Sequence, residues 1–75
     1  MNKQKADIFN EKAIDFDNAG CNVKALHYYN KSMKFNPDNA KVFWNKGTLL
    51  KSLGHHKEAR QCFIEASRLN PRLRF

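Results

Sequence analysis

A 34-residue period constrains this chain more than any other feature. When residues 6–39 are laid over residues 40–73, seven of the 34 positions are identical: Ala6/Ala40, Phe9/Phe43, Lys12/Lys46, Gly20/Gly54, Ala25/Ala59, Asn36/Asn70 and Pro37/Pro71. Chance would give roughly two, so one structural unit is used twice. Size recurs where identity does not, in Ile8/Val42, Ala13/Gly47, Phe16/Leu50, Tyr29/Phe63, Ser32/Ala66, Phe35/Leu69 and Lys34/Arg68.

Each unit reads as helix, tight turn, helix. In the first, Ile8, Phe9, Ala13 and Phe16 recur at three- and four-residue spacing, the period of one helix face. Gly20 ends that helix, because glycine tolerates the left-handed conformation, and Asn22 is expected to cap the next. The second helix carries Ala25, Leu26, Tyr29, Ser32 and Met33 on one face. It stops at Asn36-Pro37, since proline has no N–H for the helical ladder and restricts the residue before it. Asp38 is the expected cap of the third helix, with Val42, Phe43, Gly47, Leu50 and Leu53 inward. Gly54 ends it, and a fourth helix from about His56 to Leu69 presents Ala59, Phe63, Ala66 and Leu69 before Asn70-Pro71.

This pattern resembles the tetratricopeptide repeat family. That family places a large residue, a small one four later and an aromatic or large aliphatic three further on. Ala, aromatic, small and Pro then follow in the second helix. Phe9, Ala13, Phe16, Ala25, Tyr29, Ser32 and Pro37 fill the pattern once, and Phe43, Gly47, Leu50, Ala59, Phe63, Ala66 and Pro71 fill it again. Small residues at these positions let helix backbones approach while the aromatics fill the gaps. The resemblance covers residues 6–73 and implies an all-α fold, two helix-turn-helix hairpins forming a short right-handed α-solenoid within one domain over 1–75. One departure recurs: Lys12 and Lys46 stand where the family favours leucine, so their stems are expected to lie over apolar neighbours with the ammonium in water.

Composition agrees with a folded, soluble chain. Of 75 residues, 41% are apolar and 28% charged, which argues against disorder. No apolar run approaches the 18 or so residues of a membrane span, and residues 1–5 lack the apolar core of a secretory signal, so the expected compartment is the cytoplasm. Cys21 and Cys62 are accordingly read as reduced thiols. The net charge of +7 is uneven: three lysines face four acids in residues 1–20, and eleven Lys/Arg face three acids in residues 21–75.

Chemistry is hard to place. Cys21, His27, His55, His56 and Cys62 are potential zinc ligands by type, but no C-x-x-C or H-x-x-x-H spacing joins them. Asp7, Glu11, Asp15 and Asp17 read as a solvated helix face. No nucleophile with a base and an orienting partner, and no glycine-rich phosphate loop, is recognisable, so neither an enzyme nor a cofactor is expected.

The resemblance instead implies binding of a protein or peptide on a concave surface lined by the first helix of each repeat. The corresponding positions are Asp7, Asn10, Glu11, Ile14, Asp17 and Asn18, then Lys41, Trp44, Asn45, Thr48, Lys51 and Ser52. Within them Asn10, Ile14, Asp17, Lys41, Trp44, Asn45, Thr48 and Lys51 form the expected peptide site, with Trp44 as an exposed anchor. A subset of the family clamps the C-terminal carboxylate of chaperones. Asn45 matches its middle asparagine, but Asn10 and Ile14 replace its first-repeat Lys and Asn, so that ligand is not expected. The alternative function is nonspecific polyanion contact through Lys24, Lys31, Lys34, Arg60 and Arg68, with Arg72 and Arg74 beyond. Base reading is not expected, the aromatics being assigned mostly to the core. Finally, two repeats fall short of the roughly three that usually make a stable array. The fourth-helix face with Ala59, Phe63, Ala66 and Ile64, beside Leu73 and Phe75, is therefore expected to stay open and to support self-association.

Overall fold

The computed structural model describes residues 2–73. They form α1 (Lys3–Asn18), α2 (Asn22–Phe35), α3 (Ala40–Ser52) and α4 (His56–Leu69), with no strand among the described residues. The helices fall into two compact units, Met1–Pro37 and Asp38–Phe75. In the first α1 packs on α2, and in the second α3 packs on α4.

The turns repeat atom for atom. Gly20 has φ +80° and Gly54 φ +87°. The Gly20 N–H donates to the Asp17 carbonyl at 3.0 Å and the Cys21 N–H to the Phe16 carbonyl at 2.8 Å. In the second unit Gly54 donates to Lys51 at 3.0 Å and His55 to Leu50 at 2.9 Å. These are Schellman closures, which satisfy the last helical carbonyls and require a left-handed residue. A Cβ at either glycine would meet nothing within 4 Å, so backbone angle alone selects glycine there.

Helix starts differ from expectation in two places. Asn22 is the first residue of α2, and the position before it belongs to Cys21, which makes no side-chain capping bond. The Cys21 carbonyl accepts from the Ala25 N–H at 2.9 Å, so the tight turn itself delivers the chain into the helix. At α3 the cap is Asn39, not Asp38: its Oδ1 accepts from the Lys41 N–H at 3.1 Å. Both second helices end as expected before proline, with Asn36 (φ −147°) and Asn70 (φ −140°) extended, the conformation that a following proline enforces.

Hydrogen bonds tie unit 1 along its length. The Asn2 N–H donates to the Phe35 carbonyl at 3.0 Å. The Ser32 hydroxyl donates to the Ala6 carbonyl at 2.7 Å, and the Tyr29 hydroxyl donates to the Asp17 carboxylate at 2.9 Å. Ala6, Ala13 and Ala25 are fully buried where the helices cross. In unit 2 the buried set on the two helices is Ala40, Val42, Gly47, Leu49, Leu50, Ala59, Cys62, Phe63 and Ala66. Ile8 and Leu53, expected inward, are exposed. Leu49 and Cys62 are buried without having been assigned to the core.

Candidate functional site

The expected binding positions lie along α1 and α3 with helical spacing, so each helix carries its own set on one side. On α1, Asn10, Ile14 and Asp17 are half-buried. The Asn10 Oδ1 is buried with no hydrogen-bond partner. An acceptor hidden in that state costs about 1–3 kcal/mol until a donor reaches it. Asp17 is not a free carboxylate, because it accepts from the Tyr29 hydroxyl. Burial first, then that hydrogen bond and the carboxylate's charge, push the Tyr29 phenol well above its ordinary pKa. Asp7, Glu11 and Asp15 are exposed, as a solvated face requires.

On α3, Lys41, Thr48 and Lys51 are exposed and Asn45 is half-buried. The Thr48 hydroxyl donates to its own helix, to the Trp44 carbonyl at 3.0 Å. Trp44, expected to stand open, is half-buried. Its ring centroid lies 4.7 Å from that of Phe63, with the planes inclined at 60°. The reason is local: Gly47, one turn beyond, leaves room for Phe63 to advance onto α3, and a Cβ there would be 2.9 Å from Phe63 Cε1. Phe63 then offers a surface for the indole.

Unit 1 carries a feature that periodicity did not reveal. Phe35, Phe9, Tyr28 and Phe16 form a file of stacked rings, with successive centroids 5.6, 5.8 and 5.5 Å apart. All four are half-buried, so these aromatics are not the closed core the sequence suggested. Four lysines lie over them: Lys31 over Phe9 at 4.9 Å, Lys5 over Phe35 at 5.1 Å, Lys24 over Phe16 at 5.4 Å and Lys12 over Tyr28 at 5.7 Å. Lys24 and Lys31, read from sequence as part of a surface for polyanion contact, have their ammonium groups over ring faces. Lys12, whose stem was expected over apolar neighbours with the ammonium in water, places the ammonium itself over the Tyr28 ring. The signal available beforehand was Tyr28, an aromatic beside Tyr29 with no assigned place.

The fourth helix also differs from expectation. Ala59, Phe63 and Ala66 are buried within their own hairpin, and of the face expected to stay open Ile64 is the exposed large residue, at 53%. Leu73 is half-buried, and its carbonyl accepts from the Ser67 hydroxyl at 2.7 Å. Phe75 and Arg74 lie outside the described residues. Cys21 and Cys62 are free, the first exposed and the second buried. Burial raises the Cys62 thiol pKa, Lys46 opposes the rise and Glu58 adds to it. Among the described residues no three His, Cys, Asp or Glu side chains gather as a metal site. No helix there is long and apolar enough to cross a membrane.

Two helices joined through a glycine turn, crossing on small residues and closed by proline, and repeated after 34 residues, define a helical-repeat scaffold. The chain belongs to the tetratricopeptide repeat family, a family of protein-interaction modules. The family's sequence profile, described as tetratricopeptide repeat, matches residues 40–73. The chain is also similar to the uncharacterized protein MJ0572 of Methanocaldococcus jannaschii, being 38% identical over 63 residues that span 84% of this chain and 73% of that protein.

Proposed function

We propose that the chain is a non-enzymatic module that binds a peptide segment of a partner protein on the outward faces of α1 and α3. Asn10, Ile14 and Asp17 act on α1, and Lys41, Trp44, Asn45, Thr48 and Lys51 act on α3. The observation that carries this reading is the buried, unpartnered Asn10 Oδ1. It is an acceptor on the helix face that the family uses for ligands, closed to solvent in the free chain, and a peptide N–H meets it once the Asn10 side chain turns outward. Trp44 supplies a half-covered aromatic surface whose far side is held by Phe63, which suits a rigid anchor. Asp17 acts by fixing Tyr29 and the end of α1, and its carboxylate keeps capacity for a second donor.

The two faces differ in charge. Asp7 and Glu11 are exposed on α1, whereas Lys41 and Lys51 are exposed on α3. The α1 face therefore favours basic groups of a ligand, and the α3 face acidic ones. Two free thiols fit a reducing compartment, so the proposed location is the cytoplasm. Self-association, as far as α4 supports it, rests on Ile64.

The test is a peptide selected against the intact chain from a random displayed library, titrated against variants whose helicity is checked by circular dichroism. Asn10→Ala, Asn45→Ala and Lys41→Glu each weaken binding by about tenfold, about 1.4 kcal/mol. Unchanged affinity in all three places the ligand elsewhere.

A further inference from the structure

The file of rings in unit 1 opens at one end into a hollow of about 480 Å³, lined by Lys5, Phe9, His27, Asn30, Lys31, Lys34 and Phe35. We propose that this hollow is a docking site for an acidic segment of a partner protein, with one apolar side chain entering it and carboxylates on either side. The inference goes beyond the proposed peptide face on α1 and α3, and it uses different residues.

Three observations shape the occupant. The first is the floor: Phe9 and Phe35 remain half-buried with their ring centroids 5.6 Å apart, an apolar surface that gains from being covered. The second is the rim. Lys5, Lys31 and Lys34 line the hollow, and no acidic residue does. Arg68 in unit 2, by contrast, is neutralised by Glu65 at 2.6 Å. The third is preorganisation, since the Lys31 and Lys5 ammonium groups lie 4.9 and 5.1 Å from ring centroids at the edge of the hollow. Cations placed in advance around an apolar floor fit an apolar group flanked by carboxylates.

The same geometry selects among sources of negative charge. A nucleic acid would stack bases on open ring faces. Phe9 has Tyr28 and Phe35 stacked beside it and the Lys31 ammonium over it, so those faces are taken. What the hollow presents is ring faces already covered by ammonium groups, which attract carboxylates. A second copy of the chain brings a net charge of +7, the wrong sign for this rim.

The experiment is a titration of the intact chain, followed by calorimetry and backbone amide shifts, with an end-blocked peptide of core Glu-Glu-Leu-Glu-Glu. Controls carry Ser in place of Leu, or Lys in place of Glu, and an oligothymidylate is titrated in parallel. The expected result is saturable binding with shifts at Phe9, Asn30 and Phe35. Affinity falls about tenfold with the Ser peptide and at least as much in Lys31→Glu/Lys34→Glu. The exposed Lys34→Glu alone gives a smaller loss in the same direction, and it decides the question if the double variant loses helicity. Equal binding of the Ser peptide reduces the effect to bulk charge and overturns the proposal, as does failure to saturate. Tighter binding of oligothymidylate at the same amides assigns the hollow to nucleic acid. A dimer of the unliganded chain that Lys34→Glu dissociates assigns it to a second copy. Both outcomes overturn the proposal.

Discussion

The Trp44 indole rests on the Phe63 ring, centroids 4.7 Å apart and planes inclined at 60°. Phe63 thus joins the buried seam of unit 2 to the half-exposed tryptophan of the candidate ligand face. Phe63→Ala removes a side chain that is only 8% exposed, at a cost of about 3–5 kcal/mol. That is comparable with the whole stability of a small domain. The expected result is a large drop in the thermal midpoint together with a red shift of Trp44 emission at temperatures where helix remains. A variant with unchanged midpoint and emission contradicts this packing.

Gly47→Ala is expected to destabilise, although alanine is the better helix former by about 1 kcal/mol. The added Cβ would lie 2.9 Å from Phe63 Cε1 and 3.2 Å from the Cys62 Cβ. Phe63 must retreat, and overpacking of this kind costs about 1–3 kcal/mol. Chemical denaturation measures the sign; a gain in stability would show that Phe63 has room to move.

Tyr29→Phe removes the hydrogen bond to Asp17, which is 2.9 Å long, and is expected to cost about 1.5 kcal/mol at neutral pH. Its pH dependence is specific. The unfolded phenol titrates near 10.0, and the folded one is raised, by burial first and Asp17 second. Stability from this source is therefore complete below pH 10.0 and is lost as pH rises above it. The difference in stability between wild type and Tyr29→Phe should shrink in that alkaline range and stay flat between pH 6 and 9, roughly one unit clear of the phenol's ordinary value.

The two thiols should react differently. Cys21 is exposed and Cys62 buried, with burial raising the Cys62 pKa. A disulfide reagent at neutral pH should modify Cys21 quickly and Cys62 only at the rate of opening of unit 2. Equal rates in the native protein would contradict the burial of Cys62.

Gly20 and Gly54 were legible in the sequence because a helix closed by a Schellman turn needs a residue at positive φ, and glycine supplies it without strain. Asn36-Pro37 and Asn70-Pro71 were legible for a similarly local reason. The caps were less so. Asp38 and Asn39 are adjacent residues of capping type, and only the path of the backbone chooses between them. Cys21 needs no capping side chain, because the preceding turn already sets the direction of α2. The candidate site was readable as a set of positions, not as surfaces. Helical spacing gives the side of α3 on which Trp44 lies, but the reach of Phe63 across Gly47 depends on the partner helix. The lysines over the ring file escaped for the same reason: Lys5 and Phe35, or Lys24 and Phe16, belong to different helices and meet only in the folded hairpin.

The central claim, that α1 and α3 present the ligand face, is tested most directly by backbone amide shift mapping of the intact chain with a library-selected peptide at physiological salt. The account predicts that the perturbed amides gather at Asn10, Ile14, Trp44, Asn45 and Thr48, with an accompanying change in Trp44 fluorescence. Shifts confined to α2 and α4, with Trp44 emission unaltered, would contradict it. Shifts confined to Asn30, Phe35 and their neighbours would likewise contradict it while supporting the cationic hollow of unit 1.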